Sequence, residues 1–204
     1  MKLKEAIGIF DNIFTPSECK NIISKLEKAI TSGEAYSGQS GDGGNTHVKK
    51  TTDYNILSHT KHKFTSQLIM EKFNDTLSNK YLENFPNIRE YSHHRIVNQK
   101  TFYPLLQIQK YDKNSGHYNA WHVEAEDKNT SDRAFVFILY LNDVEKGGET
   151  GFLIKEKGDF LKIQPKVGRL VIHPAAWPFI HKGYMPKSSD KYILTTWLCW
   201  KDQN

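Results

Sequence analysis

From residue 87 onward the chain is a succession of short β-rich runs, "LLQIQKY", "AFVFILYL", "GFLI", "FLKIQP", "RLVIHP" and "YILTTWLCW", set apart by turn signals. Branched and aromatic side chains in runs of this length suit a pleated, half-buried surface. Many short strands at this spacing predict a sandwich or jelly roll. The 204 residues suffice for one domain with a real core, and an aromatic content of 12% supplies the bulk to fill it.

Two helices are predicted ahead of the strands. In "FTPSECKNIISKLEKAI" Thr15 is an N-cap, Pro16 sits in the first turn and Glu18 completes a capping box, with Ile22, Ile23, Leu26 and Ile30 as the apolar face. The second runs over 61–83 with Phe64, Leu68, Phe73, Leu77 and Tyr81 near helical spacing, and Pro86 ends it. Between them, "TSGEAYSGQSGDGGNTH" reads as a long polar loop whose 37–46 portion could cover a site, and "VKKTTDYNIL" as a short strand. The expected architecture is α+β in a single domain over 1–204, with residues 1–86 a helical support region and 87–204 the jelly-roll core.

The 28 basic residues exceed the 23 acidic ones by five but are scattered, which describes a solvated surface rather than a nucleic-acid-binding stripe. Two cysteines, Cys19 and Cys199, can form neither a disulfide framework nor a cysteine zinc site, which fits a reducing compartment. The opening apolar run is cut short by Asp11, and no stretch approaches a membrane span. A soluble, cytoplasmic protein is the resulting expectation.

His122-Val123-Glu124 is the candidate for chemistry. On a strand, residues i and i+2 share a face, so an imidazole and a carboxylate could meet at one point. Two histidines and one carboxylate leave three octahedral positions open, the arrangement of non-haem Fe(II) oxygenases. A second histidine is required downstream, and both His173 in "VIHPAAW" and His181 in "PFIHKGYMP" are available.

At this point residues 105–200 resemble the catalytic region of the 2-oxoglutarate and Fe(II) dependent dioxygenases, in their prolyl 4-hydroxylase-like branch. The matching residues run in the family's order: Tyr111, Gly116 and Tyr118, then His122 and Glu124, Arg133 leading "AFVFILYLN", "GGETGF" at 147–152, Pro165 and Gly168, His181, Lys191, Thr195 and Trp197. The family's lysine follows its distal histidine by ten residues. Lys191 stands in that relation to His181, whereas the residue ten beyond His173 is Gly183. Three departures stand out: Glu124 replaces the usual aspartate, Tyr118 precedes His122 by four residues rather than three, and Val136 replaces a threonine.

The resemblance implies a double-stranded β-helix, cupin-like, with the N-terminal helices packed against one sheet. It implies Fe(II) on His122, Glu124 and His181, with 2-oxoglutarate as cosubstrate, O2, and ascorbate as an accessory. It places Lys191 on the far carboxylate of 2-oxoglutarate, Tyr111 and Thr195 beside the cosubstrate, Trp197 in the wall, and Arg133 and Tyr118 toward the substrate. The activity it implies is C–H hydroxylation, foremost of a peptidyl proline, with release of succinate and CO2. Peptide, protein or small-molecule substrates are the expected partners, with neither membrane nor nucleic acid among them. Hydroxylation of a free amino acid or small metabolite is the alternative within this chemistry. A non-catalytic jelly-roll binding module is the alternative outside it, and a zinc peptidase is disfavoured because no H-E-x-x-H occurs.

Overall fold

The structure, a computed structural model, describes residues 3–40, 44–85, 101–154 and 160–201. Its elements are helices α1 (Pro16–Ser32) and α2 (Lys63–Thr76) and strands β1 (Gly8–Phe10), β2 (Tyr36–Ser37), β3 (Lys49–Lys50), β4 (Thr52–Asn55), β5 (Thr101–Phe102), β6 (Gln107–Tyr111), β7 (His117–His122), β8 (Arg133–Tyr140), β9 (Thr150–Leu153), β10 (Phe160–Ile163), β11 (Leu170–Pro174), β12 (His181–Gly183) and β13 (Lys191–Trp200). The larger sheet has the order β1-β11-β8-β13-β6-β4-β2, with β5 also on β13, and the smaller has the order β10-β9-β12-β7-β3. These pairings are antiparallel, as a jelly-roll double-stranded β-helix requires.

Helix α1 begins as its sequence predicts. The Thr15 side chain accepts from the Glu18 backbone N–H while Glu18 accepts from the Thr15 N–H, and Gly33 closes the helix at a φ of 75°. Its buried stripe is Cys19, Ile22, Leu26 and Ala29, and Ile30, expected inside, is exposed although it lies only about 40° around the helix from Leu26, in the last turn before Gly33. Helix α2 departs further from expectation. It ends at Thr76 and passes into a wider π turn over Leu77–Tyr81, and its buried face is Ser66, Ile69, Phe73 and Thr76. Phe64 and Leu68, predicted on that face, are instead exposed, Phe64 at 87%. The wider turn changes the angular register, which lets Leu77 and Tyr81 share the interior with Phe73. Pro86 and part of the 37–46 loop lie outside the described residues.

The larger sheet separates two cores. On its outer face α1 and α2 bury Phe14, Leu26 and Phe73 against Phe137, Leu139, Ile108 and Leu194. On its inner face, between the sheets, lie Val136, Ile138, Tyr140, Tyr111 and Ile193. Strand β8 is covered on both sides, which is why "AFVFILYL" reads as a continuous apolar run instead of an alternation. The period of two assigns every odd-numbered position of β13 from Lys191 to Trp197 to the interior between the sheets, and gives Leu194 and Leu198 to the helices.

The N-terminal part is more than a helical support. β1, β2 and β4 extend the larger sheet, while β3, one residue before β4, pairs with β7 in the smaller. Thr51 is therefore a corner between the two walls. A second tight point is Gly168, at a φ of 74°, where an added Cβ would lie 2.0 Å from the Phe14 carbonyl oxygen. That contact joins the turn before β11 to the start of α1, where Ile13 and Phe14 donate backbone N–H groups to the Gly168 carbonyl.

Phe73 stacks on Phe137 at 5.0 Å and meets Phe14 edge-on at 6.0 Å. Phe73→Ala should lower unfolding free energy by about 3–5 kcal/mol in denaturant titrations, the usual range for a buried phenylalanine. Phe64→Ala should stay within about 0.5 kcal/mol of the parent. The reverse order would refute the buried face assigned to α2.

Candidate metal centre

β7 and β12 pair in a register that sets His122 directly opposite His181. Directly opposed residues of an antiparallel pair hold their Cβ atoms about 5 Å apart, and here the two ring centroids are 4.4 Å apart. Each Nδ1 contacts a backbone carbonyl oxygen, Ala120 O at 3.0 Å for His122 and Phe179 O at 3.1 Å for His181. A carbonyl oxygen can only accept, so each Nδ1 carries a proton, and in the neutral ring the lone pair is then on Nε2.

Glu124 Oε1 lies 3.5 Å from both Nε2 atoms, longer than a normal N–H···O bond. Ligand atoms of His122, Glu124 and His181 all lie within 4.8 Å of one another. Burial pushes the Glu124 carboxyl up, but the two imidazoles outweigh it and hold the group well below its usual range, so it is ionised. Burial, then the neighbouring His122, lowers His181, which favours the neutral ring. Two imidazole Nε2 atoms and a carboxylate oxygen thus converge on one point, a donor set that fits a divalent cation.

Glu124 does not reach this point as expected. β7 ends at His122, so the shared strand face predicted for His122 and Glu124 is not what joins them. The Glu124 and Ala125 N–H groups both donate to Ala175 O, and Ala125 bridges Ala176, drawing the chain off toward the end of β11. The longer glutamate side chain returns from there, its Oε2 accepting from Trp197 Nε1 at 3.0 Å and Arg133 Nη1 at 3.4 Å.

All nine residues singled out in the sequence line one cavity of about 340 Å³. Lys191 is 1% exposed, and among the described residues its ammonium makes no ion pair or hydrogen bond, facing only the rings of Tyr111 at 4.7 Å and Tyr140 at 5.7 Å. Burial lowers its pKa to about 7, with only the more distant Glu149 opposing. A cation desolvated to this degree is costly unless an anion joins it. Tyr111 donates its hydroxyl to Gln109 Oε1 at 3.1 Å and Thr195 donates to Phe137 O at 3.1 Å, so both hydroxyl protons are engaged by the protein. Tyr118 stacks on His122 with centroids 4.0 Å apart, and Arg133 lies against Glu124 and over the Trp197 ring, 3.7 Å from its centroid. His173 stands outside the cluster: it is fully buried, its Nδ1 contacts Pro174 O at 2.8 Å and its ring packs 4.9 Å from that of His181.

Sequence reasoning missed a polar wall of this cavity. Lys49 Nζ donates to Asp53 Oδ2 at 3.2 Å and to Gln39 O at 3.1 Å, Gln109 Nε2 donates to the same Asp53 oxygen at 3.1 Å, and Gln107 adds a third donor. The available signal was alternation: Gln107, Gln109 and Tyr111 occupy every second position of "QIQKY", as Lys49, Thr51 and Asp53 do upstream.

Residues 106–199 match the family described as the 2OG-Fe(II) oxygenase superfamily. Two relatives from Arabidopsis thaliana, probable prolyl 4-hydroxylase 9 and prolyl 4-hydroxylase 13, are each 27% identical, over 113 and 120 residues, which is 47% and 48% of this chain. The aligned region spans only 38% and 44% of those relatives' own lengths. Among solved structures, a Trichoplax adhaerens prolyl hydroxylase in complex with a hypoxia inducible factor peptide superposes with a TM-score of 0.73 at 14% identity, covering 96% of this chain and 84% of that one. A Pseudomonas putida prolyl-4-hydroxylase gives 0.68 at 13%, covering 95% and 92%. A viral collagen prolyl hydroxylase from Paramecium Bursaria Chlorella virus-1 gives 0.65 at 20%, covering 95% of each chain. The motif order, the jelly-roll fold and these likenesses agree: residues 106–199 are similar to the 2OG-Fe(II) oxygenase superfamily, and the fold is that of the prolyl hydroxylases it superposes on.

Proposed function

We propose that this protein is an Fe(II) and 2-oxoglutarate dependent dioxygenase that hydroxylates a C–H bond, with a peptidyl proline as its substrate. The observation that carries the reading is the pairing of a three-residue ligand cluster with a buried lysine that has no anionic partner among the described residues, in one cavity. His122, Glu124 and His181 hold the metal through Nε2, Oε1 and Nε2. Two nitrogens and one oxygen on one side leave room for cosubstrate and dioxygen, which suits Fe(II). Lys191 binds the far carboxylate of 2-oxoglutarate, a charge-assisted contact roughly twice as strong as a neutral one. When bound, Fe(II) and 2-oxoglutarate supply the reductive activation of O2 by which substrate C–H becomes C–OH, with succinate and CO2 as the other products.

The chain's own residues position and exclude. Tyr111 and Tyr140 wall the Lys191 amine from water, so an anion of the right reach is what holds it as an ammonium above its lowered pKa. Tyr118, stacked on His122, bounds the side open to substrate. The peptidyl-proline reading draws on the prolyl 4-hydroxylase relatives and on the peptide-bound neighbour. The polar wall of Lys49, Gln107 and Gln109 favours a second reading, a free amino acid or small polar metabolite, within the same chemistry. No helix among the described residues is long and apolar enough to cross a membrane.

Succinate formation with Fe(II), 2-oxoglutarate and O2, compared across proline-containing peptides, free proline and other amino acids, tests both readings. Stimulation by a peptide supports the first, and stimulation by a free amino acid alone transfers the assignment to the second. His181→Ala should reduce turnover to the background of denatured protein, and turnover surviving that change would remove His181 from the metal.

A second expectation follows from Lys191. At pH 8 the free site, titrating near 7, holds the lysine mostly neutral, whereas a bound carboxylate favours the ammonium. Anaerobic calorimetry in buffers of different ionisation enthalpy should record uptake of roughly one proton per 2-oxoglutarate at pH 8, shrinking toward pH 6 where the lysine is already charged. Lys191→Met should abolish the uptake and weaken 2-oxoglutarate far more than metal binding. A binding heat independent of buffer would refute the assigned pairing.

A further inference from the structure

We propose that Trp197 and Arg133 form a clamp on Oε2 of Glu124, which makes the carboxylate a one-oxygen ligand and fits this centre to glutamate where its relatives' pattern has aspartate. The inference rests on the metal assignment proposed above. Its basis is the division of labour between the two oxygens: Oε1 faces both Nε2 atoms at 3.5 Å, while Oε2 receives the indole N–H at 3.0 Å and the guanidinium at 3.4 Å. Arg133 also donates to the Glu124 backbone carbonyl at 2.8 Å, so it grips the residue at both ends, and it is itself held over the indole face at 3.7 Å. The three groups brace one another.

The backbone explains why the extra methylene belongs. Beyond β7 the chain is tied to Ala175, so an aspartate at this place would draw its carboxylate back by about one C–C bond, roughly 1.5 Å. It could then keep the indole or meet the imidazoles, but not both. With Oε2 occupied by donors, it is kept from becoming a second metal contact, which preserves the open positions that cosubstrate and O2 need. Outer hydrogen bonds of this kind set the orientation of a ligating carboxylate. Trp197 and Arg133 are thus positioning residues acting through Glu124, and Arg133 has a structural task beyond any contact with substrate.

A double-substitution cycle in Co(II) affinity, followed by the visible absorption of the bound ion without turnover, tests the clamp. Trp197→Phe keeps the ring beneath Arg133 and removes only the N–H. In the native background it should weaken Co(II) about 10- to 100-fold, the range for loss of such a partner. In a Glu124→Asp background, already weakened, it should change little, because the shorter side chain no longer reaches the indole. Equal weakening by Trp197→Phe in both backgrounds would mean that the indole acts only by packing and would overturn the clamp, as would unaltered affinity in the native background. Arg133→Met in place of Trp197→Phe provides a second cycle should the first variant fold poorly. Native protein that takes up no Co(II) would instead overturn the metal assignment, and the clamp with it.

Discussion

Two imidazoles with their Nδ1 protons committed to backbone carbonyls, and one ionised carboxylate between their Nε2 atoms, form the constraint around which the rest is arranged. With both rings neutral, three electron pairs at this range repel, and the fold has to hold them together. It does so by cross-strand register: His181 is fixed on β12 between Phe152 of β9 and His122 of β7, so its ring cannot retreat without unzipping the smaller sheet. His173 completes the support from behind, fully buried and shaped to His181 and Phe152. Burial lowers its pKa to about 3, so it presents no charge to the centre.

The larger sheet has a different task. Its outer face is an aromatic and aliphatic contact with two helices, and its inner face carries the polar machinery. A lysine such as Lys191 is tolerated in this interior because burial, which lowers its pKa to about 7, lets it shed its proton, while the ring faces around it offer the charged form weak attraction and exclude water. The Lys49–Asp53 pair meets burial differently, with both partners enclosed and three donors gathered on a single aspartate oxygen. Lys49 has its carboxylate within the protein, whereas Lys191 has none among the described residues. That difference distinguishes wall from binding site.

Much of this was legible before any coordinates. The start of α1 was, because a capping box is local chemistry that needs no tertiary partner. The two-sheet architecture and the order of motif residues were, because strand runs and spacing survive in one dimension. The face of α2 was not: Phe64 and Leu68 suit a helical stripe, but a π turn and the neighbouring Phe14 and Phe137 decide which stripe is buried. Glu124 shows the same limit at the centre. The triplet His122-Val123-Glu124 suggests two ligands on one strand, yet the strand stops after the first, and the second reaches the same point because Ala175, Arg133 and Trp197, distant in sequence, redirect it. The polar wall was hidden for a related reason, since its partners meet only through the pairing of β4 with β6.

Strand β13 acts as a ruler for the whole molecule. Its alternate side chains serve two unlike environments, ammonium, hydroxyl and indole on one side and leucines for the helices on the other. A single inserted or deleted residue within Lys191–Trp197 would exchange the two sets, delivering Leu194 to the cavity and a lysine to the oily layer. A change of length is therefore accommodated in the connections, such as the stretch between β8 and β9, while Lys191–Trp197 accommodates substitution alone.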